Sequence, residues 1–263
     1  MSSQSAFEEL QRLANAYNYP PARLIFSDSD DPNRLPEFDK IGLSFAPAVV
    51  QVTYPEFERS ISDDLRSDDD GRVRLGLASV VYWGHFGDGD RANFAATRAG
   101  RTANCEAAFL KNEMNEIIRL VDDRRYGTSL IRAFALPEIG STSFASKLIT
   151  FLAPAGAGVL DQQIYEGLGR TLLKESRSAL EEWLAVEFAP WAWTGFGKAG
   201  GSKQSRDRTA RGFDVWCERL MKAADDLNAA SLVGPCGSWR AADVERAIYR
   251  ALRSKHLASS LTA

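Results

Sequence analysis

The pattern of hydrophobic and polar residues along the chain predicts a mainly helical protein. Apolar residues recur every three or four positions in many segments, the spacing that gives a helix one apolar face. These segments are residues 4–17, 56–65, 102–121, 129–136, 144–152, 213–227 and 241–257. Residues 164–187 predict further helix with a break near Gly167 and Gly169, and Thr102 is the expected N-cap of residues 102–121. We therefore expect a mainly α fold.

The remaining segments predict turns, loops and a small amount of β structure. Residues 23–45 are rich in Asp, Pro and Ser and are expected to be irregular, whereas residues 48–54 predict a short strand. Residues 68–71, DDDG, predict a turn, and an apolar segment at 73–83 then runs into a glycine-rich loop at 84–89. This distribution predicts an N-terminal helix and irregular, slightly β region, residues 1–72, packed on a helical core, residues 73–263.

Residues 136–164, LPEIGSTSFASKLITFLAPAGAGVLDQQI, predict a turn, a helix, a second turn and the start of another helix. Pro154 ends the first helix, and Asp161 stands at the N-cap position of the second. Gly140 allows a tight turn, and the N–H groups at the start of the following helix form a site suited to phosphate. A carboxylate at a helix start can stabilise a developing cation or activate water. An ordinary helix hairpin with an N-capping aspartate gives the same pattern.

These residues resemble the helix-hairpin-helix signature of DNA glycosylases, in which an LPGVG-type hairpin and a helix precede a V/L-D-x-x-I/V segment with the catalytic aspartate. The matching positions are Leu136, Pro137, Ile139, Gly140 and Asp161. Glu138 departs from the pattern, because the family has a glycine there. The segments SKLITFLAP, LD and WRAADVERAIY are similar in particular to bacterial 8-oxoguanine DNA glycosylase-like proteins. The resemblance covers residues 80–252 and implies a two-lobed helix-hairpin-helix DNA glycosylase fold.

The resemblance implies an enzyme that binds double-stranded DNA, flips out a base and hydrolyses its N-glycosidic bond, leaving an abasic site. The implied substrate is an 8-oxoguanine-like lesion. The alternative is a hypermodified phage base, such as glucosylated hydroxymethylcytosine, removed in antiphage defence. The residues expected to contact DNA from the hairpin and the second helix are Gly140, Ser141, Thr142, Ser143 and Gln163, with Gln162 in the base pocket.

Some members of the family use a lysine nucleophile and others do not, and we expect the monofunctional mechanism here, with the bifunctional one as the alternative. The family's lysine position falls on Thr142 or Ser143, and Lys147 lies one helical turn further on. In a monofunctional enzyme, Asp161 assists the attack of water on the sugar. In a bifunctional glycosylase/lyase, Lys147 attacks as an amine, which requires a depressed pKa. A non-catalytic helical DNA-binding module that keeps the hairpin as a phosphate clamp is the third possibility.

Two further segments carry residues suited to a nucleic acid. The glycine-rich loop is expected to bring Trp83 and His85 to the base pocket, although a buried aromatic cluster explains them equally well. Residues 195–211 predict a flexible basic loop that contacts phosphate through Lys198, Lys203 and Arg206, or a solvated loop without a partner.

Composition restricts the other possibilities. The net charge of −3 requires a DNA-binding protein to gather its basic residues on one face. Three cysteines cannot supply a four-cysteine iron–sulfur cluster, and two histidines disfavour a histidine-rich metal site, so we expect no metal and no cofactor. The cysteines are widely spaced and odd in number, which favours a reduced, cytoplasmic protein. No apolar run is long enough to span a membrane. We expect a monomer.

Overall fold

The computed structural model describes residues 3–86, 91–192 and 201–260. Eleven α-helices are observed in this part of the chain, together with a 3-10 helix, Pro36–Ile41, and two strands, β1 (Ala22–Phe26) and β2 (Phe45–Val49). The helices are α1 (Ser3–Asn15), α2 (Tyr54–Leu65), α3 (Asp70–Phe86), α4 (Ala92–Ala103), α5 (Ala107–Asp122), α6 (Tyr126–Ala133), α7 (Thr142–Leu152), α8 (Gln162–Leu172), α9 (Ala179–Ala192), α10 (Lys203–Ala229) and α11 (Ala241–Ser260). The prediction of a mainly α protein is confirmed.

The strands show where the prediction for the N-terminal region was wrong. Residues 23–26, expected to be irregular, belong to β1, which pairs antiparallel with β2 in the register Ala22↔Val49. Ala22 and Leu24 are buried while the residues between and after them are more exposed, which is the alternation of a half-buried strand. The Leu24 N–H donates to the Ser79 Oγ at 3.1 Å, so α3 also holds β1 in place.

Several helix boundaries also differ from the prediction. Thr102 lies in the last turn of α4, where its Oγ1 donates to the Arg98 carbonyl at 3.0 Å, and it does not cap α5. Gly167 and Gly169 both lie inside α8. The break comes after Leu172, where Arg177 donates to the carbonyls of Thr171 at 3.1 Å and Leu172 at 2.6 Å. A basic side chain thus satisfies the last carbonyls of α8 and ends the helix.

The chain forms two compact units that do not follow the predicted division at residues 72 and 73. The central unit is Tyr19–Leu152, and the terminal unit combines Met1–Asn18 with Ala153–Ala263. The predicted boundary falls inside α3, and α1 belongs with the C-terminal helices. The reason is packing, since α1 buries Leu10 and Leu13 in its contacts with α9 and α11.

The central unit is built around α3, whose residues 73–83 are all buried. A helix that is apolar on every side belongs in a core, and α3 packs against α2, α4, α7 and β1. At the end of α3, Gly84 allows close packing of α7, because a Cβ there would lie 2.5 Å from the Phe144 ring. The central unit therefore brings the C-terminal end of α3 next to the start of α7.

In the terminal unit, α10 and α11 hold the segment that leads to Asp161. The Trp216 Nε1 of α10 donates to the Gly158 carbonyl at 3.1 Å. The first N–H groups of α11, on Ala241 and Ala242, donate to the carbonyls at positions 155 and 154 at 3.3 and 3.0 Å. These bonds satisfy helix-end donors and fix the turn that precedes α8.

Candidate functional site

The predicted hairpin between α6 and α7 contains a tight turn with an unusual residue at its apex. The Ile139 N–H donates to the Leu136 carbonyl at 3.2 Å, and Glu138 has a φ of 63°. Pro137 followed by a residue with positive φ is the arrangement of a type II turn, which favours glycine at that place. Glu138 therefore takes a left-handed conformation at the position where the resemblance leads one to expect glycine.

Ion pairs tie this turn to α4. A carboxylate oxygen of Glu138 lies 2.8 Å from the Arg98 Nε, and the other lies 3.8 Å from an Arg101 guanidinium nitrogen. The contact with Arg98 is electrostatic, because its Nε–H makes no hydrogen bond of acceptable geometry among the described residues. The two arginines offset the negative charge that Glu138 places at the hairpin.

The start of α7 is organised by Ser141. Its N–H donates to the Ile139 carbonyl at 2.7 Å and its own carbonyl accepts from the Ala145 N–H at 2.9 Å, so Ser141 immediately precedes α7 and accepts its first helical hydrogen bond. Gly140 and Ser143 are partly exposed, as is Ser141, but the side chain of Thr142 is fully buried. Thr142 as a whole has no accessible surface for contact with DNA, whereas its three neighbours do.

Lys147 is buried in α7 and directed back toward the start of its own helix. Its Nζ donates to the Ser143 Oγ at 2.9 Å and to the Ser143 carbonyl at 3.3 Å, and it lies 5.1 Å from the centroid of the Phe144 ring. Only 8% of the residue is exposed. These contacts hold the Nζ against the first turn of its own helix.

His85 lies in the last turn of α3, not in a loop as predicted. Its ring is 4.5 Å from that of Phe144 at an angle of 38°, and 5.0 Å from that of Phe94 at an angle of 85°. Burial lowers the pKa of His85 to about 4, and the positive charges of Arg98, Lys147 and Arg91 add to the shift. Its Nε2 is buried and has no hydrogen-bond partner among the described residues.

Trp83, the other predicted pocket residue, lies in the core of the central unit. Its ring packs edge-on against Tyr19 at 5.1 Å and Phe151 at 5.2 Å, and 7% of the residue is exposed. Its carbonyl accepts a hydrogen bond from the Tyr19 hydroxyl at 2.9 Å. Of the two alternatives for Trp83, the buried aromatic cluster is the one observed. The reason is that α3 continues as a helix through this segment and turns the side chain inward.

Asp161 is the N-cap of α8, as the sequence predicts. Its Oδ1 accepts the Ile164 N–H at 2.9 Å, and its backbone is extended, with φ −108° and ψ 172°. The residue is partly exposed. Gln162 and Gln163 follow it on the surface, and the Gln162 side chain donates to Glu166 at 2.6 Å. Asp161 and both glutamines belong to the terminal unit, whereas the hairpin and Lys147 belong to the central unit.

Tyr249 of α11 feels the charge of Asp161, which the sequence did not indicate. Burial raises the pKa of the Tyr249 hydroxyl, and the negative charge of Asp161 contributes to the rise. The Arg253 guanidinium donates to the Tyr249 oxygen at 2.9 Å. A phenol that stays protonated and a cation thus accompany the aspartate within the terminal unit. The only sequence signal was the position of Tyr249 at the end of WRAADVERAIY.

The predicted basic loop is partly a helix. Lys203 and Arg206 lie exposed in the first turns of α10, which begins after Ser202, whose Oγ accepts the Ser205 N–H at 3.2 Å. The helix extends this far because Thr209 is buried in line with Phe213 and continues the apolar face. Lys198 lies outside the described residues. Lys203 and Arg206 are therefore presented by a helix.

The structure contains little that suggests a metal site. In the described ranges, no group of three or more His, Cys, Asp and Glu side chains is placed to hold a metal ion. Cys105, Cys217 and Cys236 are free thiols. None of the helices in this part of the chain combines the length and the apolar character that crossing a membrane requires.

No protein-family model matches this chain, and neither a curated protein nor a solved structure shows significant similarity to it.

Proposed function

We propose that this protein is a DNA glycosylase of the monofunctional kind. The observation that carries the proposal is Asp161, a partly exposed carboxylate that caps α8 at the place the glycosylase signature gives to the catalytic aspartate. The hairpin supports it, because a tight turn at Glu138 leads directly into α7. Helix starts of this kind bind phosphate through their N–H groups.

In the proposed reaction, the Asp161 carboxylate stabilises the positive charge that develops on the sugar as the bond from C1′ to the base breaks. The base leaves with the bonding electron pair and takes up a proton. Water adds to C1′ and loses a proton, for which the carboxylate is the acceptor. The products are the free base and an abasic site in an intact strand. The proposed substrate is an 8-oxoguanine-like lesion or a glucosylated hydroxymethylcytosine of phage DNA.

The contacts of Lys147 favour this mechanism over the bifunctional one. An amine nucleophile must have its nitrogen directed at the sugar. The Lys147 Nζ instead donates twice to Ser143 and is almost completely buried. We therefore propose that Lys147 holds the start of α7 in place.

Base release from a panel of modified duplexes and from phage DNA with and without the sugar tests the proposal, with Asp161→Asn as the key variant. Asparagine is also a good N-cap, so this change removes the charge and leaves the helix start intact, whereas Asp161→Ala costs about 1 kcal/mol of stability. Ser202→Ala removes the side-chain cap of α10 and is the matched control for the loss of a cap in Asp161→Ala. We expect alkali-sensitive sites with the parent and with Ser202→Ala, and none with Asp161→Asn.

The panel also separates an enzyme from a DNA-binding module. A module without activity would release no base from any duplex, and Asp161→Asn would bind DNA as the parent does. Equal release from phage DNA with and without the sugar would exclude selectivity for the glucosylated base. Release of 8-oxoguanine alone would identify a repair enzyme.

A further inference from the structure

One face of α4, extended by its N-cap residue Arg91, carries three arginines and a phenylalanine next to the hairpin. Arg91, Phe94, Arg98 and Arg101 follow one another at intervals of three, four and three residues, which places them along the same side of the helix. Phe94 is 49% exposed, and the side chains of Arg98 and Arg101 are 35% and 61% exposed. We call these four residues the α4 face.

The neighbours of Phe94 hold its ring at the surface. The ring lies edge-on to His85 at 5.0 Å, and His85 in turn packs on Phe144 of α7. The Arg98 guanidinium lies 5.5 Å from the centroid of the Phe94 ring. Because the ring is already held in place, little side-chain entropy is lost when a ligand stacks on its exposed face.

Guanidinium groups are the main charged groups that the described part of this surface presents. Arg91, Arg98 and Arg101 lie on it, and the described carboxylates beside it are Glu138, paired with Arg98 and Arg101, and Glu37, 3.4 Å from the Thr97 hydroxyl of α4. The sequence also has Asp88 and Asp90 just before Arg91, outside the described residues. Several guanidinium groups beside an exposed aromatic ring are the groups that contact the phosphates and bases of a nucleic acid.

We propose that the α4 face binds a DNA strand, with its arginines against phosphates and Phe94 stacked on an unpaired base. The chemistry is that of known single-strand sites, in which cations follow the backbone and aromatic rings stack on bases. The inference rests on the proposed function for its choice of DNA as the polyanion. It adds a contact surface to the hairpin, and this surface recognises bases that have left the duplex stack.

Fluorescence anisotropy tests this surface with a labelled oligonucleotide of about twenty nucleotides. The oligonucleotide is used in three forms: a single strand, a duplex, and a duplex with one unpaired base. The variants are Phe94→Ala and Arg101→Ala. Their matched controls on α5 are Phe109→Ala, at a phenylalanine 38% exposed, and Arg119→Ala, at an arginine side chain 54% exposed. Circular dichroism and thermal unfolding check that each variant folds.

We expect Phe94→Ala to weaken binding of the single strand and of the unpaired-base duplex about tenfold, and that of the intact duplex less. Arg101→Ala should weaken all three and lower the slope of log affinity against log salt by about one. Both controls should bind as the parent does. Equal binding by Phe94→Ala and Phe109→Ala, with an unchanged salt slope for Arg101→Ala, would overturn the proposal.

A second measurement keeps the test independent of variant stability. The fluorescence of an unpaired 2-aminopurine in the duplex should fall when the parent binds, because the base stacks on the Phe94 ring. It should not fall when Phe94→Leu binds, and it should fall when Phe94→Trp binds. Fluorescence that does not depend on residue 94 overturns the stacking. Because these assays need no base release, they separate the two proposals. If the protein releases a base but its DNA binding does not depend on Phe94, the glycosylase proposal stands and the α4 face proposal is wrong. If its DNA binding depends on Phe94 but no base is released, the α4 face proposal stands and the glycosylase proposal is wrong.

Discussion

The ammonium group of Lys147 donates a hydrogen bond to the hydroxyl of Ser143, one turn earlier in α7, over 2.9 Å. The same nitrogen donates to the Ser143 carbonyl and lies over the Phe144 ring. The single lysine near the proposed catalytic signature is thus engaged by its own helix.

From this we predict that sodium borohydride traps no covalent complex between the parent protein and any substrate duplex. Lys147→Met keeps the unbranched stem and should retain base release. Lys147→Ala should lower the free energy of unfolding by about 1–3 kcal/mol, because it leaves a gap in a packed region. Denaturant unfolding and borohydride trapping measure the two effects. A trapped adduct that disappears in Lys147→Met would establish the lyase mechanism instead.

Glu138 gives a prediction about backbone strain. Its φ of 63° costs a residue with a Cβ roughly 1 kcal/mol, and glycine escapes this cost. Glu138→Gly and Glu138→Ala both lose the ion pairs with Arg98 and Arg101, so their difference isolates the backbone term. We expect the glycine variant to be more stable than the alanine variant by about 1 kcal/mol in denaturant unfolding. Equal stabilities would show that the left-handed conformation is not kept in solution.

His85 gives a prediction about pH. Its pKa in the folded protein is about 4, against 6.5 for a free histidine, so the unfolded chain takes up its proton at a higher pH than the folded one. The stability linked to His85 is therefore complete above pH 6.5, falls as the pH drops toward 4, and changes no further below that. NMR titration of the protein should show a histidine with this low pKa that is absent in His85→Gln and present in His256→Gln. A pKa near 6.5 for His85 would contradict the burial described for the end of α3.

Two glycines form a matched pair for the packing of α3 on α7. A methyl group at Gly84 would lie 2.5 Å from the Phe144 ring and 3.1 Å from the Lys147 side chain, whereas one at Gly169 of α8 would meet nothing within 4 Å. We expect Gly84→Ala to destabilise the protein by about 1–3 kcal/mol through overpacking. Gly169→Ala should stabilise it by about 0.5–1 kcal/mol through helix propensity. Thermal unfolding measures both, and a neutral Gly84→Ala would mean that α7 packs less closely than described.

Local pattern was sufficient for part of the proposed site. Pro154 and Asp161 mark the end of one helix and the start of another by backbone chemistry alone, and α7 and α8 lie where that chemistry places them. The mainly helical fold follows in the same way from apolar residues at helical spacing. The sequence also showed the tight turn before α7, although not that Glu138 would take the left-handed conformation at its apex.

Residues that depend on distant neighbours could not be found in this way. Gly84 and His85 suggested a loop, yet α3 continues through them because α7 packs against the glycine. Phe94 passed unnoticed, because its place at the surface depends on the packing of α4 against α3 and on His85, which Phe144 of α7 holds in turn.

The sequence by itself thus determined the mainly helical character of the chain and the cap and turn chemistry around Asp161, because those depend on residues a few positions apart. Tertiary structure decided that Lys147 is buried, that Trp83 belongs to the core, and that Phe94 stays at the surface among arginines. It also decided that α1 joins the C-terminal helices. The physical reason is that burial and electrostatic environment are set by side chains brought together from distant parts of the chain. The spacing of residues within one segment does not predict which distant side chains will be in contact.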